Sequence, residues 1–388
     1  MYAWPRVDEV ALLADRRERV AAVMHDERLD ALLLSGFDNI RYATAFRASL
    51  TYDSNYEWYA ALLDQDLAGT LLACDIGDPI DGPVPGNAAI TRRVGAPSWQ
   101  AAWAQPETYA KLLRTEIGSA RRVGVDALQF DVADALRQEG VELVPVAQAL
   151  LRQRMVKTAD EIRLVEASCE VASLAMSAAM RGFVEGMTDV EIVNLANDVS
   201  NRCGVEWISH AVITVQATPS RASWLPTGRR VWAGDTFFVD YGVYGAGGYA
   251  SDFCRTHVAE TAPPQVRDAH RNLREALAEG EAMARPGVRG SAVAAAVNAA
   301  LQQCGLPPTS YAMGHGIGLR LVEPPSLFRP ERMDADEMLA EGMTVCIEPS
   351  TAVEVGGEIV GLKEEEQYVV TATGLRQLTK TAVEGGAT

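Results

Sequence analysis

Apolar positions in roughly the first 155 residues fall alternately into helical and strand spacing, the pattern of an α/β layer domain. Residues 7–28 read as a charged amphipathic helix, followed by the strand LDALLLSG. Further strands are predicted at GTLLACDIG, RRVGVDAL and VELVPVA, with proline and glycine loops around DPIDGPVPGN. The segment FRASLTYDSNYEWYA interrupts this alternation. Its Tyr52, Tyr56, Trp58 and Tyr59, at mixed spacing, suit a domain or subunit interface or a substrate wall.

The pattern changes near Lys157. Thr158 and Glu161 have capping-box spacing, and Ile162, Val165, Cys169, Ala172 and Met176 then recur on one helical face. Thr188 and Glu191 repeat the signal and open a second helix through Leu195. A third runs from about Val266 to Ala284 and stops at Pro286-Gly287. Short strands are predicted at AVITVQ, TFFVDYG, YASDFCRTHVA, MTVCIEPS, GGEIVGLK and QYVVT. The expected organisation is α/β (α+β), with domains at 1–157 and 158–388.

With 48% hydrophobic and 22% charged residues, the composition is that of a globular protein. No apolar run has membrane-spanning length, and the charged start MYAWPRVDEV lacks the features of a signal peptide. Six dispersed cysteines without a CxxC pair read as buried free thiols, so a reducing cytoplasm is expected. A net charge of −17 argues against nucleic acid and acidic membrane surfaces as partners.

Chemistry concentrates in the second half. Asp240, Asp252, His315, Glu348 and Glu365 are five candidate metal ligands, four carboxylates and one imidazole. Such a set suits two divalent cations sharing an oxygen, Mn first, with Fe, Co or Zn as alternatives. Asp240 and Asp252 flank the glycine-rich turn GVYGAGG, so strand pairing would bring their carboxylates together; Glu348 and Glu365 do the same around EVGGE. His315 lies between glycines in GHGIG, where the backbone can approach closely.

These ordered motifs, with FDNIRYATAF and LRQRMVKTADEIRLVEAS upstream, resemble the creatinase/prolidase/methionine-aminopeptidase family over nearly the whole chain. The resemblance implies a small creatinase-type N-terminal α/β domain, a C-terminal pita-bread domain and a homodimer. It also implies that Asp240 binds one metal, Asp252 and Glu365 bridge both, and His315 and Glu348 bind the other. Glu348 then takes the proton from a bridging water. Lys363 stands where many members carry arginine. Three features depart from the family's peptidases. The aspartates are twelve positions apart, one more than usual; SRASWLPTGRRVWAGD lacks the upstream histidine; and Val322 replaces the histidine seven residues after His315. The longer spacing, NIRYAT, the upstream Trp224 and MTVC are similar to the dimethylsulfoniopropionate lyases of this fold, although Gly242 replaces an aspartate of those lyases.

Around the ligands, His210 reads as a core histidine, or as a replacement for a missing catalytic histidine if its strand points inward. Glu323 could act as acid or base, or hold the loop beside Pro324-Pro325. Trp224 and Tyr56 are candidate substrate walls, and Arg41, Arg221 and Arg320 are candidates for a substrate carboxylate. His25, His257 and His270 read as structural. The expectation is a dinuclear metallohydrolase of a small amide or dipeptide, similar to Xaa-Pro peptidases. The alternatives are a lyase of the dimethylsulfoniopropionate-cleaving type and a binding protein without turnover.

Overall fold

The computed structural model describes residues 2–47, 59–73, 80–81, 87, 89–96, 105–216, 225–309, 313–328 and 336–380. Trp224, Tyr56, Tyr52, Trp58, Arg221 and Cys74 lie outside them. The chain divides into two compact units, Val7–Arg154 and the described residues of 1–6 and 155–388. No helix among the described residues is long and apolar enough to cross a membrane.

The Val7–Arg154 unit is built on one mixed sheet. Its strands are β1 (Ala31–Leu34), β2 (Tyr59–Leu63), β3 (Gly69–Ala73), β4 (Ile80–Asp81), β5 (Ile90–Gly95), β6 (Arg122–Val125) and β7 (Glu142–Pro145), in the order β4-β5-β3-β2-β1-β6-β7. Leu32, Leu33 and Leu34 have no exposed surface, because both faces of the central strand are covered. That is why its sequence is a continuous apolar run rather than an alternation. The helices are α1 (Glu9–Asp26), α2 (Phe37–Thr44), α3 (Pro106–Ile117), α4 (Phe130–Gln138) and α5 (Ala147–Arg154). Asp8 caps α1 by accepting from the amides of Val10 and Ala11. NIRYAT belongs to α2, where Arg41 is half-buried. Tyr59 is a core residue of β2, its ring 5.5 Å from that of Phe46.

In the other unit, helices α6 (Ala159–Gly182) and α7 (Asp189–Cys203) each start in a full capping box, at Thr158/Glu161 and Thr188/Glu191. Helix α7 continues past Leu195 to the left-handed Gly204. The pair covers an antiparallel sheet of β8 (Trp207–Val215), β9 (Phe237–Tyr244) and β10 (Phe253–His257), with Met176, Ile192, Phe237 and Phe253 in the intervening core. Helices α8 (Pro264–Met283) and α9 (Gly290–Gln303) likewise share a core, through Leu273, Val297, Ile347 and Tyr368, with a second sheet. Its strands are β11 (Gly314–Gly316), β12 (Glu323–Ser326), β13 (Thr344–Ile347), β16 (Glu366–Thr371) and β17 (Gly374–Gln377), in the order β12-β11-β13-β16-β17. The hairpin β14 (Ser350–Val355) and β15 (Glu358–Lys363) turns at Gly356-Gly357. The start of the chain packs here too. Tyr2 Oη donates to Glu170 Oε2 at 2.7 Å and Trp4 Nε1 to the Cys203 carbonyl at 2.9 Å.

Among the described residues the cysteines are free thiols; Cys169, Cys254 and Cys346 are buried, whereas Cys304 is exposed at the end of α9.

Candidate metal centre

Backbone pairing brings the five predicted residues together. In the β9–β10 hairpin Cys254 sits opposite Asp240, so Asp252, two residues earlier, lies diagonally across from it. Cys254 is also bridged through its backbone to Glu365, at N–O distances of 3.4 and 3.2 Å. In the second hairpin Ser350 pairs with Lys363, which sets Glu348 against Glu365. Strand β11 lies between β12 and β13 and carries His315. A side chain at Gly314 would lie 2.1 Å from the Cys346 carbonyl, so the glycine beside His315 is required by the neighbouring strand.

The result is one buried cluster. His315 Nε2 lies 3.5 Å from Asp252 Oδ2 and 3.6 Å from Glu348 Oε1. Its Nδ1 lies 2.9 Å from the Gly316 carbonyl, to which it donates, and this turns Nε2 toward the carboxylates. Single ligand atoms of Asp252, His315, Cys346 and Glu365 lie within 4.8 Å of one another. Asp252 Oδ1 and Glu365 Oε1 are buried and accept no hydrogen bond. Carboxylate oxygens without donors, beside an imidazole nitrogen, form a donor set that fits a hard or borderline divalent cation.

Around Asp240 the surroundings differ. His210 Nε2 lies 3.1 Å from both Asp240 Oδ1 and Asp252 Oδ1, and its Nδ1 is 3.0 Å from Ser209 Oγ. The one proton on Nε2 serves Asp240 Oδ1, which leaves Asp252 Oδ1 without a hydrogen bond. A register shift between Ile208 and His210 turns the ring inward. It occupies the space beside Gly242, where a Cβ would meet His210 Cε1 at 2.6 Å. Of the two sequence readings of His210, the structure thus has the strand pointing into the cluster. Lys363 reaches in as well, with Nζ 2.5 Å from Asp240 Oδ2, 2.7 Å from Glu365 Oε2 and 3.1 Å from Glu348 Oε2.

The electrostatics follow from burial opposed by these pairings. Burial alone would lower both histidines, yet Asp252 and Asp240 push His210 up to about 10. Asp252 and Glu348 push His315 up to about 9 against the same burial; a cation at Nε2 would replace that proton. Asp240 is held below the ordinary carboxylate range, burial being outweighed by Lys363 and His210. Asp252 is lowered too, because the two histidines outweigh its burial. Burial raises Glu348 and raises Glu365 further, and Lys363 only partly offsets it.

Other predicted residues stand elsewhere. Glu323 is ion-paired with Lys157, at 2.8 Å, with side chains 1% and 2% exposed. Its other oxygen lies 3.4 Å from the amide of half-buried Arg320. These contacts are those of a residue that holds its loop. His257 packs between Phe183 and Phe237, at centroid distances of 5.2 and 4.8 Å. His270, half-buried, bonds Glu364 Oε1 at 2.7 Å, one residue from Glu365. Sequence reasoning missed the contacts of Cys346 and Gln367, whose Oε1 accepts the Asp252 amide at 3.0 Å. The run Lys363-Glu364-Glu365-Glu366, apolar on neither strand face yet flanked by apolar segments, was the available signal.

Comparison with known proteins identifies the family and the fold. The family model described as metallopeptidase family M24 matches residues 163–372, and that of the creatinase/prolidase N-terminal domain matches residues 16–156. The chain is 28% identical over 233 residues to an Xaa-Pro dipeptidase of Pyrococcus furiosus, covering 59% of this chain and 64% of that protein. It is 28% identical over 282 residues to a dimethylsulfoniopropionate lyase of Roseobacter denitrificans, covering 69% and 62%. It thus spans slightly less than two thirds of either relative. A solved prolidase from Pyrococcus horikoshii OT3 superposes with a TM-score of 0.76 at 20% identity, over 95% of this chain and 98% of the other. That likeness is one of fold, and it bears out the expected creatinase-type and pita-bread architecture.

Proposed function

The chain belongs to metallopeptidase family M24, and on that premise we propose that it is a metal-dependent hydrolase of a small amide or dipeptide. The observation that carries this reading is the buried cluster of Asp252, His315, Glu348 and Glu365, with two carboxylate oxygens lacking any donor. A divalent cation held there, manganese by preference, would supply Lewis acidity to polarise an amide carbonyl and acidify a water.

The chain's own residues would handle protons and orientation. Glu348 is a carboxylate that burial makes more basic than an exposed one, which suits it to accept a proton from the attacking water. His210, held by Ser209 and the two aspartates, retains a proton it can pass to a departing amine. It supplies the imidazole missing at Ser223 and Val322. Arg41, Arg320, Tyr56 and Trp224 are proposed to contact substrate, and a homodimer to be the working form. Glu323, closed against Lys157, is better suited to support than to proton transfer.

The similarity to a dimethylsulfoniopropionate lyase favours elimination as a second reading. Mass spectrometry of products decides between them. The manganese-loaded protein is offered Xaa-Pro dipeptides, acylated amino acids and dimethylsulfoniopropionate. Products totalling substrate plus one water support hydrolysis. Products totalling substrate alone refute it in favour of elimination, and no turnover on any of them refutes both.

A further inference from the structure

A bound cation needs oxygens whose lone pairs are free to face it. Both oxygens of Asp240 are already engaged, Oδ1 at 3.1 Å from His210 Nε2 and Oδ2 at 2.5 Å from Lys363 Nζ. The same ammonium contacts Glu365 Oε2 and Glu348 Oε2, so three carboxylates already converge on one positive centre. The Lys363 side chain is 3% exposed. Its backbone is pinned as well: Thr256 Oγ1 donates to the Lys363 carbonyl at 2.6 Å and accepts its amide at 3.1 Å. Swinging the ammonium aside would leave a buried charge unpaired, which is strongly unfavourable. By contrast, Asp252 Oδ1 and Glu365 Oε1 accept no hydrogen bond, and Asp252 Oδ2 faces His315 Nε2 at 3.5 Å.

We propose that the Lys363 ammonium permanently fills one of the two cation positions, so that the centre binds a single divalent metal through Asp252, His315, Glu348 and Glu365. This inference rests on reading the cluster as a metal centre. It replaces the pair of cations expected from the sequence with one metal and one fixed organic cation. Lysine suits that place because its charge is compact and sits on a flexible stem, whereas the planar guanidinium of arginine is a broader fork. Asp240 then serves as a partner of Lys363 and His210 rather than as a ligand.

The test is metal content, read by native mass spectrometry and by electron paramagnetic resonance of the full chain equilibrated with manganese(II). The expected wild-type result is one manganese per chain with the spectrum of an isolated ion. Lys363→Met is expected to take up a second manganese and show exchange coupling. Asp240→Asn is expected to keep its single ion, which maintains the test should Lys363→Met fold poorly. Two ions in the wild type, a single ion in folded Lys363→Met, or loss of the ion in Asp240→Asn would each overturn the proposal while leaving a metal centre standing. No ion in any of the three proteins would overturn the metal reading itself.

Discussion

Replacing Glu323 with leucine should reveal what that residue is for. The substitution strands the Lys157 ammonium, whose side chain is 2% exposed and whose hydrogen-bond partner is Glu323 Oε1. Removing one member of a buried pair costs about 3–5 kcal/mol. Shedding the proton offers no cheaper escape, since deprotonating an ordinary lysine at pH 7 costs about 4.6 kcal/mol. For a folding unit of this size the loss corresponds to a fall in Tm of roughly 6–20 °C. Thermal unfolding followed by circular dichroism measures it. Glu323→Leu combined with Lys157→Met should recover most of the stability, because an apolar pair of similar volume is tolerated where half an ion pair is not. The proposed supporting role of Glu323 also predicts that the double variant turns over substrate at a rate comparable with wild type. A Tm change under about 2 °C for the single variant, roughly 1 kcal/mol or less, would refute the argument. So would a double variant no more stable than the single one.

Three other outcomes are expected. Gly242→Ala would place a Cβ 2.3 Å from the Ser251 carbonyl and 2.6 Å from His210 Cε1. It should cost about 1–3 kcal/mol through overpacking and lower kcat by displacing the imidazole; unchanged kcat with a shifted melt would show that His210 is not needed where it stands. Asp189 accepts from the Thr227 and Gly228 amides at 2.8 Å and from Thr227 Oγ1 at 3.0 Å, and these bonds, against the effect of burial, lower its pKa. Its contribution is present above the ordinary aspartate range and lost as pH falls through the lowered value. Asp189→Asn should therefore be less stable than wild type by about 1–3 kcal/mol at pH 7, the gap closing below about pH 4 in parallel urea titrations. Chelation should lower Tm, and manganese at about 100 times its Kd should restore about 2.7 kcal/mol; a melt insensitive to manganese would count against the centre.

Much of this arrangement is legible in the residues, for physical reasons that differ from place to place. Both capping boxes are local, so Thr158/Glu161 and Thr188/Glu191 announced their helices directly. The carboxylate hairpins were readable because glycine turns fix which strands pair. Helix α9 was not foreseen. Its N-cap is Arg289, without a side-chain cap bond, and its alanine-rich sequence shows little polar alternation. The direction of His210 was unreadable because the register shift at Ser209 breaks the two-residue alternation that would have assigned it a face. The reach of Lys363 depends on contacts with residues up to 123 positions away, which no local pattern encodes.

The contacts of Tyr2 and Trp4 have a consequence for how the polypeptide is made. Their partners are Glu170 and the carbonyl of Cys203, residues synthesised long afterwards. At 5–20 residues per second a ribosome delivers Cys203 about 10–40 s after Trp4. Through that interval two large aromatic rings have no surface of their own to settle on. The opening residues therefore behave as a latch that closes only once α6 and α7 have emerged, and a fragment that stops short of α7 would carry that latch open.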